Sequence, residues 1–239
     1  MRFLKLEKRN KISYVSFTRT KSLNALNSET LGELIGLNNE LNNDANTKVV
    51  VYRSEGKNFS AGADIKEKPK KLSKLQIWNS NLGKEAIESI LKINQITIAS
   101  LKGYCLGGAA CIASACDFRV ASETIQVAYP EIDLGMNLNW FGLPLLLRLI
   151  GPSKTKKMVI SGEIENANNL YKWGFLDELF KDAELDKKTI AFAKKYASKP
   201  PLPTQMIKRS VNALTYQADQ AIMHMDYDQF LLAREFHKE

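Results

Sequence analysis

Alternating and continuous apolar stretches predict β-strands in the first half of the chain. Phe3–Leu6 and Ile12–Phe17 alternate apolar and polar positions, which is the pattern of a hairpin with one buried face. Val49–Tyr52 and Ile96–Leu101 are short apolar runs, as expected for parallel strands that are covered on both faces. Further short strands are predicted at residues 118–120 and 125–127.

Helical periodicity fills the segments between these strands. Ser28 offers an N-cap to the first predicted helix. The apolar face of that helix consists of Leu31, Leu34, Ile35 and Leu41. Further helices are predicted at residues 75–93, at residues 109–115 and over most of the chain after Trp140. Strands that alternate with helices predict an α/β fold in which right-handed crossovers join parallel strands.

The chain length and one proline-rich segment predict the domain organisation. A chain of 239 residues is long enough for one substantial core with a small helical appendage. The segment 200–203 contains three prolines and divides a predicted core, residues 1–200, from a predicted C-terminal helical tail, residues 201–239.

Composition narrows the class of protein. Apolar residues make up 44% of the chain and charged residues 25%, which is typical of a globular domain. No apolar run reaches the roughly 18 residues that span a bilayer, and the first residues lack the apolar segment of a signal peptide. We therefore expect a cytoplasmic protein that does not associate with membranes. The net charge of +8 is typical either of a solvated surface, which we favour, or of a site for a phosphate-rich ligand.

The cysteines do not indicate a metal site or a disulfide framework. Cys105, Cys111 and Cys116 are odd in number and contain no Cys-x-x-Cys pair. The two histidines, His224 and His237, lie more than a hundred residues further along the chain. We expect the cysteines to be small buried residues, no bound metal, and no catalytic role for His224.

Two glycine-containing turns are candidates for chemistry. Residues 60–64 and 103–108 each follow a predicted buried strand, and such turns present unpaired N–H groups where a helix begins. Two N–H groups that meet at one oxygen would form an oxyanion hole. A glycine in a single turn is more often needed only for the turn itself. Neither segment has the spacing of a P-loop or a dinucleotide-binding fingerprint.

A series of segments, in order along the chain, resembles the crotonase superfamily, which is the enoyl-CoA hydratase/isomerase family. The segments are Arg19–Asn27, Asn58–Glu67, Gly103–Ala109, Cys116–Ala121, Tyr129–Gly135, Gly151–Lys154 and Ser161–Gly162. The similarity covers residues 1 to about 200. It implies a spiral of ββα units with a C-terminal helical region that serves in trimerisation or as a lid. It also implies a homotrimer or hexamer and an acyl-CoA thioester as substrate, with no cofactor besides the CoA of that substrate.

The resemblance also implies roles for individual residues. The amides of Ala63 and Gly108 would form the oxyanion hole, and Glu131 would be the catalytic acid or base. The residues that would hold CoA are Lys21, Ser22, Leu23, Ala61, Asp64 and Ile65.

One departure from the family pattern bears on the reaction. Members that add water use two glutamates, and Cys111 stands at the position of the first. Because one base suffices to move a double bond, we expect an enoyl-CoA isomerase that uses Glu131. A hydratase or hydratase-lyase that uses Glu131, with water held near Asn137 or Asn139, is the main alternative. Other thioester chemistry and a non-catalytic CoA- or RNA-binding role remain open, although nucleic acid is a less favoured partner because aromatic residues are not interleaved in the loops.

Overall fold

The fold alternates strands and helices along the chain, in a computed structural model that describes residues 1–68, 71–217, 219, 223 and 225–237. The strands are β1 (Leu4–Arg9), β2 (Ile12–Phe17), β3 (Val49–Ser54), β4 (Ile96–Leu101), β5 (Tyr104–Leu106), β6 (Phe118–Ser122), β7 (Gln126–Ala128), β8 (Glu165–Asn166) and β9 (Glu178–Phe180). The helices are α1 (Ser28–Asn42), α2 (Lys74–Trp78), α3 (Leu82–Leu91), α4 (Gly108–Ala115), α5 (Gly142–Ser161), α6 (Ala167–Lys172), α7 (Leu185–Ala197), α8 (Pro201–Thr215) and α9 (Asp226–Phe236).

Two sheets organise the strands. The larger sheet has the order β1-β2-β3-β4-β6-β9, and only its β1–β2 pair is antiparallel. The smaller sheet has the order β5-β7-β8. The predicted hairpin is confirmed, but its turn is shorter than the interval between the two predicted strands, residues 7–11. Asn10 and Lys11 alone make the turn, and both have positive φ angles, which match the twist of a two-residue hairpin.

The first helix begins one residue earlier than the sequence suggested. Asn27 is the N-cap, not Ser28, because Asn27 has extended backbone angles and its Oδ1 accepts the Thr30 N–H at 2.9 Å. Leu31, Leu34 and Leu41 of the predicted apolar face are buried, whereas Ile35 is only partly buried. The helix packs on the large sheet and on α3, so its position depends on this apolar face.

Other predicted boundaries are wrong where polar caps interrupt a helix or where strands are very short. The helix predicted over residues 75–93 is two helices, α2 and α3, because Asn81 caps α3 by accepting the Lys84 N–H at 3.0 Å. Strand β5 lies inside the predicted turn 103–108, and β8 and β9 lie in the region predicted to be helical. Strands of two or three residues are too short to show an alternation of apolar and polar positions.

A buried lysine attaches the C-terminal region to the large sheet. Lys208 of α8 is 8% exposed, and its Nζ donates to the Gln95 carbonyl at 2.8 Å and to the Asp117 carboxylate at 2.6 Å. The same Asp117 oxygen accepts the Thr97 N–H at 2.8 Å at the start of β4. Helix α8 is therefore fixed to the strand ends. The division into residues 1–200 and 201–239 stays a prediction.

Within the described residues, no helix combines the length and the apolar character needed to cross a bilayer. The cytoplasmic location stays a prediction.

We predict that Lys208→Met lowers the free energy of unfolding by about 3 kcal/mol, because it leaves a largely buried Asp117 without its cation. Chemical denaturation monitored by circular dichroism measures the change. The matched control is Lys187→Met on α7, where the lysine is exposed and the change should stay within about 0.5 kcal/mol. Equal effects of the two substitutions would contradict an anchoring role for Lys208.

Candidate active site

An open cleft of about 800 Å³ contains both glycine turns and Glu131. Four segments form it: residues 19–25, the loop after β3, the start of α4 and a short 3-10 turn at Pro130–Leu134. Because these segments are far apart in the sequence, the cleft depends on how the two sheets pack.

The first glycine turn is held by backbone hydrogen bonds to the segment before α1. The Ala61 N–H donates to the Leu23 carbonyl at 3.0 Å, and the Leu26 N–H donates to the Gly62 carbonyl at 2.8 Å. The Asp64 N–H donates to the Leu26 carbonyl at 3.0 Å. The Ala63 N–H takes no part in these hydrogen bonds and has no hydrogen-bond partner among the described residues.

The second glycine turn ends at the first residue of α4. Gly107 has a φ of 52°, and its N–H donates to the Ala128 carbonyl at 2.9 Å. Gly108 begins the helix, where an N–H has no carbonyl to reach within the helix. In the part of the chain that the structure describes, the Gly108 N–H has no other acceptor.

The two turns lie side by side. The Ser60 N–H donates to the Tyr104 carbonyl at 2.9 Å, and the Leu106 N–H donates to the Ser60 carbonyl at 3.1 Å. A Cβ atom on Gly62 would lie 2.4 Å from the Leu106 carbonyl oxygen and 3.5 Å from the Gly108 nitrogen. Gly62 therefore has no room for a side chain, and the unpartnered amides of Ala63 and Gly108 belong to adjacent turns of one cleft.

Glu131 brings a carboxylate to the same place. A Cβ atom on Gly107 would lie 2.8 Å from Glu131 Oε1, so the carboxylate contacts the second turn. Its Oε2 is buried and has no hydrogen-bond partner among the described residues. Burial raises the pKa of Glu131 to about 7. A carboxyl group with this pKa exchanges protons readily at neutral pH and is a candidate general acid or base.

Cys111 lies three residues after Gly108, about one turn further along α4, and it is buried. Burial raises the pKa of its thiol well above the usual range, and the carboxylates of Glu131 and Asp226 raise it further. Its Sγ donates only a long contact, 3.9 Å, to the Asn139 carbonyl. The thiol is therefore neutral and does not replace a carboxylate as acid or base.

Asp226 is a buried carboxylate that sequence reasoning missed. It is the first residue of α9, is 4% exposed, and its Oδ2 has no hydrogen-bond partner among the described residues. Burial raises its pKa to about 6, although an interaction with the Phe141 N–H opposes this shift. It belongs to no motif that the sequence contains, so only the folded chain reveals its proximity to Cys111.

The residues predicted to hold CoA line the outer part of the cleft. They are Lys21, Ser22, Leu23, Ala61, Asp64 and Ile65. Leu23 and Ile65 are 46% and 82% exposed, so they offer apolar surface to a ligand. The Asp64 carboxylate pairs with Arg19 at 2.8 Å, and this pair lowers the pKa of Asp64 against the opposing effect of burial. The CoA-binding roles stay predictions.

Arg19 is a second residue that sequence reasoning left without a role. Besides Asp64, its guanidinium bonds to the Ala25 carbonyl, and it therefore braces the first glycine turn. Of the two histidines, His224 lies outside the described residues, and the His237 ring packs against Gly135. The expectation of no bound metal stays a prediction.

We predict that Glu131→Gln stabilises the protein at high pH. A carboxyl group whose pKa is raised by folding binds its proton more tightly in the folded state. Stability therefore falls as pH rises from about 4.5 to about 7, by about 3 kcal/mol. The glutamine variant lacks this loss, so its melting temperature should exceed that of the wild type at pH 8 and equal it near pH 4. Asp133→Asn, which neutralises an acid in the same 3-10 turn with no buried unpartnered oxygen, is the control. A constant difference between pH 4 and pH 8 would contradict the burial of the Glu131 charge.

Comparisons with known proteins identify the family. The family model for enoyl-CoA hydratase/isomerase matches residues 7–239. A short-chain-enoyl-CoA hydratase of Clostridium acetobutylicum is 31% identical over 209 residues, which are 87% of this chain and 80% of that protein. A crotonyl-CoA hydratase of Syntrophomonas wolfei is 30% identical over 209 residues, which are also 87% of this chain and 80% of that protein.

Solved structures agree with the sequence comparisons. A crystal structure of an enoyl-CoA hydratase from Bacillus anthracis is 27% identical with a TM-score of 0.84, over 98% of this chain and 90% of that chain. A probable enoyl-CoA hydratase from Mycobacterium thermoresistibile has a TM-score of 0.88 at 23% identity, over 99% of this chain and all of that chain. The predicted crotonase-like α/β fold with a ββα spiral core and a C-terminal helical region is confirmed. The chain belongs to the enoyl-CoA hydratase/isomerase family of the crotonase superfamily.

Proposed function

We propose that this enzyme stabilises the enolate of an enoyl-CoA thioester and that Glu131 moves the protons. The observation that carries the proposal is that two unpartnered backbone amides, of Ala63 and Gly108, line the same cleft as a buried carboxyl group with a pKa near neutrality. Amides that donate to the thioester oxygen lower the energy of its negative charge, and the loss of one such donor typically costs about 3–4 kcal/mol of barrier.

The site chemistry favours double-bond migration. In that reaction the Glu131 carboxylate removes a proton from C2 of a 3-enoyl-CoA, and the electron pair of the C–H bond moves into the thioester as an enolate. The carboxylic acid then returns the proton to C4, and the double bond ends between C2 and C3. One carboxylate suffices, which fits a site where the other candidate group, Cys111, is a neutral thiol.

Hydration is the second candidate, and it is favoured by the names of the relatives. The curated relatives reported above are named hydratases, so the comparisons give no support to isomerisation over hydration. In hydration, Glu131 would take a proton from water while the water oxygen bonds to C3, and the Glu131 carboxylic acid would then give that proton to C2 of the resulting enolate. Asn137 is less suited to hold that water because its Nδ2 already donates to Gln229 at 2.9 Å. Asn139 is buried beside Cys111 and is the better candidate.

The outer cleft has the charge and the apolar surface that CoA requires. Lys21 and Lys66 line it together with the exposed side chains of Leu23 and Ile65. The ammonium groups suit the pyrophosphate and the 3′-phosphate of CoA, and the apolar side chains suit its adenine and pantetheine. If the chain bound RNA instead, its affinity for RNA would fall steeply as the salt concentration rises, and it would have no affinity for CoA.

We predict that the purified enzyme forms the conjugated thioester absorbance from 3-enoyl-CoA, and that Glu131→Gln lowers this rate by about a hundred- to ten-thousand-fold. The glutamine cannot accept the proton, but it keeps the shape of the side chain. Binding of CoA, measured by calorimetry, should not change in this variant.

The same assay with 2-enoyl-CoA separates the two reactions. Loss of the absorbance of 2-enoyl-CoA would identify hydration. If the enzyme also left 3-enoyl-CoA unchanged, isomerisation would be overturned. Full activity of the Glu131→Gln variant on both substrates would remove Glu131 from the mechanism. The control is Asp133→Asn, which changes a neighbouring acid that lines the same cleft.

We propose further that the enzyme assembles as a trimer or as a hexamer of two trimers. Helix α8 supports this proposal because a row of its apolar side chains is exposed, with Ile207 64%, Val211 51% and Leu214 78% accessible in the single chain. Exposed apolar surface of this extent on one helix is typical of a subunit interface.

We predict that light scattering after gel filtration gives the mass of three or six chains, each of 26.9 kDa. Leu214→Glu should shift the population toward smaller species, because it places a charge in the apolar row. Lys187→Glu changes an exposed position of a different helix, α7, and should leave the mass unaltered. A wild-type mass of one chain would contradict the proposal.

A further inference from the structure

One aromatic side chain, Trp140, packs against Gly108, a residue that lines the cleft. A Cβ atom on Gly108 would lie 2.1 Å from Cζ3 of this indole, and a Cβ atom on Gly83 would lie 1.7 Å from its Cε2. The indole therefore fills the space between the start of α4 and the first turn of α3, and it touches the backbone of the residue that carries the Gly108 amide.

The directions around this amide are limited. A thioester oxygen that accepts the Gly108 N–H lies about 2.9 Å from that nitrogen, so the acyl carbons next to the carbonyl lie within a few ångströms of Gly108. Toward the outside, the cleft continues past Ala63 and Lys66 to solvent, which is the direction left for the long CoA part. Beside Gly107, the space is taken by the Glu131 carboxylate. The acyl chain is left with the inner side of the cleft, where Leu134 and Met136 line it and the Trp140 indole lies against Gly108.

The indole is held firmly in this place. Trp140 and Phe141 have φ angles of 56° and 57°, a region that non-glycine residues occupy only when their surroundings require it. The ring of Phe141 is 3% exposed and lies 5.0 Å from Lys84 Nζ, while its N–H interacts with the buried Asp226 carboxylate. Contacts of Phe141 with α3 and α9 therefore fix the backbone next to Trp140.

We propose that Trp140 sets the acyl-chain length, so that the enzyme acts on short-chain acyl-CoA thioesters and excludes long ones. This inference rests on the proposed function, because it assumes that the thioester oxygen binds the Gly108 amide. An acyl chain longer than a few carbons meets the indole and either displaces it or fails to enter. The role is one of specificity, since the indole carries no group that exchanges protons at neutral pH.

Binding of saturated acyl-CoA tests the proposal without any turnover. Calorimetry with butanoyl-CoA and decanoyl-CoA should give the wild type a preference of at least about tenfold for the shorter thioester, the range that a pocket reaches for misfitting methylenes. Trp140→Leu should reduce or reverse this preference by about tenfold, and Trp140→Phe, which preserves an aromatic ring, should give an intermediate ratio. Trp173→Phe is the control, because Trp173 packs against Lys154 and Lys157 outside the cleft, and it should leave the ratio unchanged.

Different failures have different meanings in this experiment. Equal affinity of the wild type for both thioesters, or an unchanged ratio in Trp140→Leu with a native circular dichroism spectrum, would overturn the role of Trp140. If Trp140→Leu does not fold, the Trp140→Phe ratio decides in its place. Absence of binding for both thioesters and for free CoA would instead overturn the proposed function.

Discussion

The pairing of the two glycine turns is the constraint on which the candidate site depends. Two hydrogen bonds, between Ser60 and the Tyr104–Leu106 strand, set the loop after β3 beside the start of α4. The unpartnered amides of Ala63 and Gly108 reach the same cleft only because of this pairing. It also explains why Gly62 is needed, since any side chain there would collide with the Leu106 carbonyl oxygen.

This site contains several polar groups that folding leaves unpaired among the described residues. Two N–H groups and one carboxylate oxygen of Glu131 lack partners there. Ala63 is exposed, so its N–H can bond to water, whereas the buried and unpaired Glu131 oxygen costs roughly 1–3 kcal/mol of stability. The surrounding structure offsets such costs through fully paired anchors, such as the Arg19–Asp64 ion pair that braces the first turn. A site that binds a negatively charged oxygen needs N–H groups without protein partners, because donors that were already paired would not be available to a substrate. The residues around such a site can have all their hydrogen bonds and ion pairs formed.

The sequence was informative where a signal is local and uninformative where it is not. The buried strands at Val49 and Ile96 were predictable from continuous apolar runs, and the two turns were predictable from glycines that follow them. The cap at Asn27 and the break at Asn81 were missed, because several polar residues near a helix start compete for one role and the backbone angles decide between them. Asp226 was not predictable, since its burial beside Phe141 results from how the C-terminal region packs, which no local pattern encodes.

Cys111, which stands where we expect the first glutamate of the water-adding family members, is closely packed. A Cβ atom on Gly142 would lie 2.7 Å from Cys111 Sγ and 2.9 Å from a methyl carbon of Leu138, so the thiol already fills its space. A glutamate side chain is longer by several atoms and would force the segment from Leu138 to Gly142 outward. That segment carries Trp140, whose indole rests on Gly108. The small thiol, the neighbouring glycine and the indole therefore form one packed arrangement, which leaves no room for a longer side chain at position 111.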